Sequence, residues 1–156
     1  MTNERLLFNK NILVAVDESE SGGRAVSYVG QILGGMTGFK IIILNVIHEP
    51  DEDYFQKSLE KEEWLAQHKL KADAMLNDHR QLLIKEGFEP NNIVVRSIIL
   101  DCPSIADCIL TEREKMGCST IVVGRKGVSR KEEFLFGSVS NKIIHHAHDC
   151  TVWVVE

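Results

Sequence analysis

Two kinds of apolar pattern alternate along this chain, and their alternation predicts its architecture. Residues Asn11–Val16 read NILVAV, a short apolar run without polar alternation, as in a strand buried on both faces. Asp17 ends it. From Ser21 onward Ala25, Val26, Val29, Ile32, Leu33 and Met36 recur at helical spacing, which predicts a helix with these residues inward. Gly34, Gly35 and Gly38 close it. Phe39–Ile47 is a second continuous apolar run, KIIILNVI at its centre, stopped by His48, Glu49 and Pro50.

The charged stretch from Asp51 to Gly87 carries Leu65, Ala72, Met75, Leu82 and Leu83 as a stripe, which predicts one long surface helix capped by Gly87. Ile93–Leu100 reads as a third strand, and Ser104–Met116 as a helix with Ile105, Ile109 and Met116 inward. Thr120–Val123 is a fourth strand. Val139, Ile143 and Ala147 then lie four apart on a last helix, and Thr151–Val155 is the fifth strand. Strict alternation of strand and helix, with apolar strands, predicts an α/β fold: a five-stranded parallel sheet with helices on both faces, joined by right-handed crossovers. Such sheets bind ligands at the carboxyl ends of strands, where the strand order reverses. The loops after the first and fourth strands are therefore the places for a site.

Composition adds bounds. The 156 residues, 44% apolar and 26% charged, suit one ordinary domain over residues 1–156 with a core that needs no staple. A net charge of -5 argues against a nucleic-acid binder, which needs broad positive surface. No apolar run approaches the roughly 20 residues of a membrane span. Without a signal-like start or a C-x-x-C pair, Cys102, Cys108, Cys118 and Cys150 read as reduced, small buried hydrophobes of a cytoplasmic protein.

The chemistry gathers after the fourth strand. In IVVGRKGVSRKEEFLFGSVSNKI, Gly124, Gly127, Gly137 and Ser138 form G-x2-G-x9-G-S between a strand and a helix. Gly124 and Gly127 can take positive φ and, without a Cβ, expose backbone N–H groups so that an anion approaches the main chain closely. The first N–H groups of the following helix, at Ser138, Val139 and Ser140, face outward at its positive end, which suits phosphate. Arg125, Lys126, Arg130 and Lys131 make this loop locally basic in an acidic chain, so a polyphosphate is attracted here. The plain alternative is a glycine loop with a solvated charge run.

This pattern resembles the universal stress protein family, specifically its ATP-binding branch. ILVAVDES, IIILNVI, IVVGRKG, GSVSNKII and CTVWVV carry the likeness across essentially the whole chain. The resemblance implies an adenine nucleotide α-hydrolase-like, Rossmann-like domain that binds ATP together with Mg. It places Val16 and Asp17 at the ribose, the main chain around Val46 at the adenine edge, and Gly124, Arg125, Gly127, Gly137, Ser138, Val139 and Ser140 around ribose and phosphates. It also implies a homodimer through the last strand, which agrees with the uncovered apolar run around Trp153. The chain departs from the family in two places. Glu18 stands where glycine is frequent, and Leu100-Asp101-Cys102-Pro103 lacks a small glycine before the proline.

Asp17 has a second reading as a helix cap or turn residue. Ser21-Gly22-Gly23 is similar to pyrophosphatase-type loops but lacks the Asp-Ser that follows there. His145, His146 and His148 suit the negative end of a helix better than a metal. No residue has the context of an activated nucleophile, so none is assigned a catalytic role and no metal ligand set is assigned. Three readings follow: a nucleotide-dependent switch or adaptor in stress response, a weak Mg-dependent hydrolase or phosphotransferase, and a dimeric adaptor without nucleotide. The first is favoured, and the intact glycine pattern speaks against the third.

Overall fold

The computed structural model describes residues 7–125 and 138–156. Five strands, β1 (Asn11–Ala15), β2 (Lys40–Ile47), β3 (Ile93–Ile99), β4 (Thr120–Gly124) and β5 (Thr151–Val155), alternate with four helices. These are α1 (Glu20–Leu33), α2 (Ser58–Lys85), α3 (Ile105–Met116) and α4 (Ser138–His146). The sheet is wholly parallel in the order β3-β2-β1-β4-β5. The expected α/β architecture, with helices on both faces, is the one observed.

Successive strand residues point to opposite faces, and this divides the core in two. Ile12, Val14, Ile41, Ile43 and Val122 pack with Val26, Val29, Leu76 and Leu83 beneath α1 and α2. Leu13, Ile42, Leu44, Ile121 and Val123 pack with Ile109 and Ile143 beneath α3 and α4. Double-sided burial therefore accounts for the unbroken apolar runs of β1, β2 and β4. The edge strands differ: β3 carries Val95 and Ile99 exposed, and every residue of β5 keeps some solvent contact.

Three details depart from the sequence pattern. Ile32, within α1, and Met36, beyond its end at Leu33, are solvent-exposed. A Cβ on Gly34 would collide with the Glu86 carbonyl oxygen, so this glycine lets the ends of α1 and α2 touch. The long surface helix begins only at Ser58, after a separate 3-10 turn at Glu52–Tyr54. Finally, the structure joins Cys102 and Cys108 as a disulfide, whereas the sequence pattern suggested four reduced thiols. Cys118 and Cys150 are free, and burial pushes the Cys118 thiol up to about 11. That thiol is an inert core group, as expected.

Candidate functional site

The strand order reverses between β1 and β4, so their carboxyl ends lead into α1 on one face and α4 on the other, the place where parallel sheets of this kind bind ligands. Val16 and Asp17 follow β1, and Gly124 and Arg125 stand at the end of β4.

On the β1 side, the Val16 N–H donates to the Leu44 carbonyl at 2.8 Å, extending the ladder one residue past the strand. The Val16 carbonyl accepts from Asn45 Nδ2 at 2.9 Å. Asn45 is buried, and its amide fixes the point where the chain turns. Asp17 follows, half-buried, and its Oδ1 accepts from the Ser19 N–H at 2.8 Å and from the Ser19 hydroxyl. The N-cap of α1 is Ser19, so Asp17 serves as the turn residue of its second reading, with its carboxylate held at the carboxyl end of β1.

Val46 lies near the end of β2, paired with Ile98 of β3. Backbone groups alternate sides along a strand. Since the Leu44 carbonyl faces β1 and the Ile47 carbonyl accepts from Leu100 beyond β3, the N–H and C=O of Val46 face the β1 side. They do so past Ala15 and Leu44, the last β1–β2 pair.

On the β4 side, Gly124 ends the strand without positive φ; the described glycines that have it are Gly35, Gly38, Gly87 and Gly117. The need for glycine here is steric. A Cβ at Gly124 would lie 2.7 Å from the Ser21 Cβ and 2.8 Å from the Ser21 carbonyl carbon. The first turn of α1 thus presses on the end of β4, and Ser21 is buried there. The Ser21-Gly22-Gly23 segment has this packing role.

Arg125 donates its N–H to the Val155 carbonyl at 2.7 Å, and its guanidinium meets Glu156 at 2.8 Å. Its charge is therefore directed along the β5 side of the sheet. The Arg125 carbonyl accepts from the Ser140 hydroxyl at 3.1 Å, which ties the first turn of α4 to the end of β4. Ser138 opens that helix exposed, Val139 is half-buried and Ser140 is buried. Gly127, Gly137, Lys126, Arg130 and Lys131 lie outside the described residues.

A second link holds α4. Lys142 Nζ donates to Asp107 Oδ2 at 2.8 Å and to Ser104 Oγ at 3.0 Å, while Ser104 caps α3 by accepting from the Asp107 N–H. The hydrogen bonds from Lys142 and then Ser104 hold the Asp107 carboxyl below its ordinary range. Lys142, like the partner of Asn45, escapes sequence reasoning because it comes from a different element, whereas Ser104-x-x-Asp107 has the spacing of a helix cap. A polar residue interrupting the apolar IIILNVI run was the available signal for Asn45.

Comparison with known proteins places this geometry. The chain matches the universal stress protein family over residues 9–156. It belongs to that family. A search of curated protein sequences finds no match. Among solved structures, the universal stress protein UspA from Lactobacillus plantarum superposes with a TM-score of 0.76 at 22% identity, covering 96% of this chain and 99% of that one. A universal stress protein in complex with cAMP gives a TM-score of 0.69 at 20% identity, with 96% and 98% covered. One from Archaeoglobus fulgidus in complex with dAMP gives 0.64 at 18% identity, with 97% and 100% covered. At these identities the likeness establishes the universal stress protein fold.

Elsewhere, His145, His146 and His148 are exposed. Among the described residues the group with metal-ligand chemistry is Asp101, Cys102 and Cys108, which includes no histidine. No described helix is long and apolar enough to cross a membrane.

Proposed function

We propose that this universal stress protein binds an adenine nucleotide, ATP in the first instance, in the crevice between β1 and β4, and acts as a nucleotide-dependent switch or adaptor. The observation that carries the reading is the placement of two complementary groups after the two strands that flank the strand-order reversal. One is a carboxylate at the end of β1, suited to ribose hydroxyls. The other is the N-terminus of a helix tied to the end of β4, suited to phosphate. The relatives solved with cAMP and dAMP support the same chemistry.

In this reading Val16 and Asp17 flank the ribose, and the outward N–H and C=O of Val46 meet the adenine edge. The amides of Ser138, Val139 and Ser140 receive phosphate oxygens, with Gly124, Arg125, Gly127 and Gly137 completing the loop. Magnesium would ride on the phosphate oxygens, because Mg²⁺ seeks oxygen ligands and keeps several waters. The Asp101–Cys102–Cys108 group has the wrong chemistry for it. Asp17 and the α4 amides bind and orient; no described residue is assigned as a base for water, so retention rather than turnover is the expected behaviour. We also read the protein as cytoplasmic and as a homodimer through the outer edge of β5.

The test is incubation of the purified chain with ATP and Mg²⁺, following retained nucleotide and released phosphate together. Retention of ATP without phosphate release, lost in Asp17→Ala and Ser138→Pro, is the expected outcome. Phosphate release abolished by Ser138→Ala would replace the switch by a hydrolase. Failure to retain any adenine nucleotide would sink both.

A further inference from the structure

The chain from β3 into α3 brings three reactive side chains together outside the proposed nucleotide crevice. The Cα atoms of Cys102 and Cys108 stand 5.4 Å apart, within the range a disulfide bridges without backbone movement. The Asp101 carboxylate oxygen lies 3.3 Å from Cys102 Sγ and 3.6 Å from Cys108 Sγ. All three ligand atoms fall within 4.8 Å of one another. We propose that Cys102 and Cys108 form a reversible dithiol–disulfide centre, oxidised by a hydroperoxide and reduced by a small dithiol.

Several features favour reversibility over a permanent staple. The two cysteines are only six apart in sequence, so their link restricts the unfolded chain far less than a long-range bridge. The start of α3 has its own anchors, the Ser104 cap and the Lys142 contacts, and does not depend on sulfur. The cysteines differ in access: Cys102 is half-buried and Cys108 is completely buried. An outside reagent therefore meets Cys102 first, and Cys108 is shielded until it resolves the reaction. Asp101 serves the reduced form, since one carboxylate oxygen within reach of both sulfurs can accept from both thiols. Cys118 and Cys150 have no such neighbourhood, and burial raises both thiols.

Oxidation runs in two steps. The Cys102 thiolate attacks the terminal peroxide oxygen, the O–O bond breaks, and the leaving alkoxide takes a proton to give an alcohol and a sulfenic acid on Cys102. The Cys108 thiolate then attacks the Cys102 sulfur, and hydroxide leaves as water with the proton that Cys108 gave up. Two thiols and one hydroperoxide yield one disulfide, one alcohol and one water. Reduction by a dithiol reverses this through attack on the accessible Cys102 sulfur, with Cys108 leaving as thiolate.

The experiment uses the full chain, oxidised with hydrogen peroxide or reduced with dithiothreitol, quenched with acid and labelled with a maleimide in denaturant. Four labels are expected on reduced protein, which has four cysteines, and two after peroxide, restored to four by dithiothreitol. Both cysteines lie in one tryptic peptide, Ser97–Arg113, so the oxidised form is seen as that peptide lighter by two hydrogens. Cys102→Ser should keep three labels under mild peroxide, and its partly accessible position makes it the safer variant if Cys108→Ser fails to fold. Retention of four labels in wild type, the same loss in Cys102→Ser, linkage between chains, or irreversible oxygen addition to Cys102 would each overturn the proposal. So would stoichiometric zinc released by the maleimide, which would make the cluster a metal site.

Discussion

Gly124 illustrates how a single residue's role depends on what stands opposite it. The sequence suggests a glycine freeing the backbone for an anion, but its neighbour is Ser21, and the Cβ it lacks would sit 2.7 Å from the Ser21 Cβ. Part of that collision involves the Ser21 main chain, which no rotamer change relieves. Gly124→Ala should therefore destabilise the fold by about 1–3 kcal/mol, the usual cost of overpacking, read as a lower urea midpoint with an unchanged slope. An unaltered midpoint would mean that α1 moves away at no cost. Asn45 poses the opposite problem: one polar residue in an apolar run is visible in sequence, yet its purpose appears only when the Val16 carbonyl, 29 residues earlier, is found 2.9 Å from its amide. Such distant pairings, and the Cys102–Cys108 pair with no C-x-x-C spacing, are what a single chain conceals.

Among the elements, the central strands were legible because a residue buried on both faces must be apolar, whatever its neighbours. The helix ends were less so. Periodicity ran through Gly34 to Met36, but the helix stops where α1 meets the Glu86 carbonyl, a contact set by α2. The cluster joining α3 to α4 yields a prediction at this scale. Asp107 titrates below its ordinary range because of Lys142 and Ser104. A carboxyl lowered on folding adds stability above its unfolded pKa, and loses it as pH falls through the lowered folded value. Asp107→Asn should accordingly unfold at lower urea than wild type at neutral pH. The two midpoints should converge as pH drops below about 4, and a gap that persists in acid would point to packing instead of charge.

Viewed whole, the molecule ends in an open sheet edge. Thr151 donates its N–H to the Ser119 carbonyl, and Val155 accepts from Arg125, so these residues face β4 and the alternate ones, Val152 and Val154, turn their N–H groups outward. Val154→Pro removes one outward donor while sparing the β4 ladder, a substitution tolerated at sheet edges. If β5 carries the homodimer, light scattering should show dimer for wild type and monomer for this variant, with little change in melting temperature. A monomeric wild type at micromolar concentration would refute the dimer. The candidate site was legible in outline only as two loops, named by a strand-to-helix glycine pattern and by a carboxylate after the first strand. Their adjacency came from the strand order, which alternation alone does not specify.

That order also governs assembly. Asn11 of β1 pairs with Lys40, a neighbour close in sequence, but Ile12 pairs with Thr120 across more than a hundred residues. Local pairings close cheaply, whereas the β1–β4 pairing must overcome the entropy of a very long loop. The proposed nucleotide site lies on that seam, so on that reading an intermediate containing only β1 to β3 has half a site and no grip on phosphate. On the proposed nucleotide reading, ligand that selects the closed seam draws the chain out of such intermediates by mass action, and nucleotide would then be a folding ligand as well as cargo.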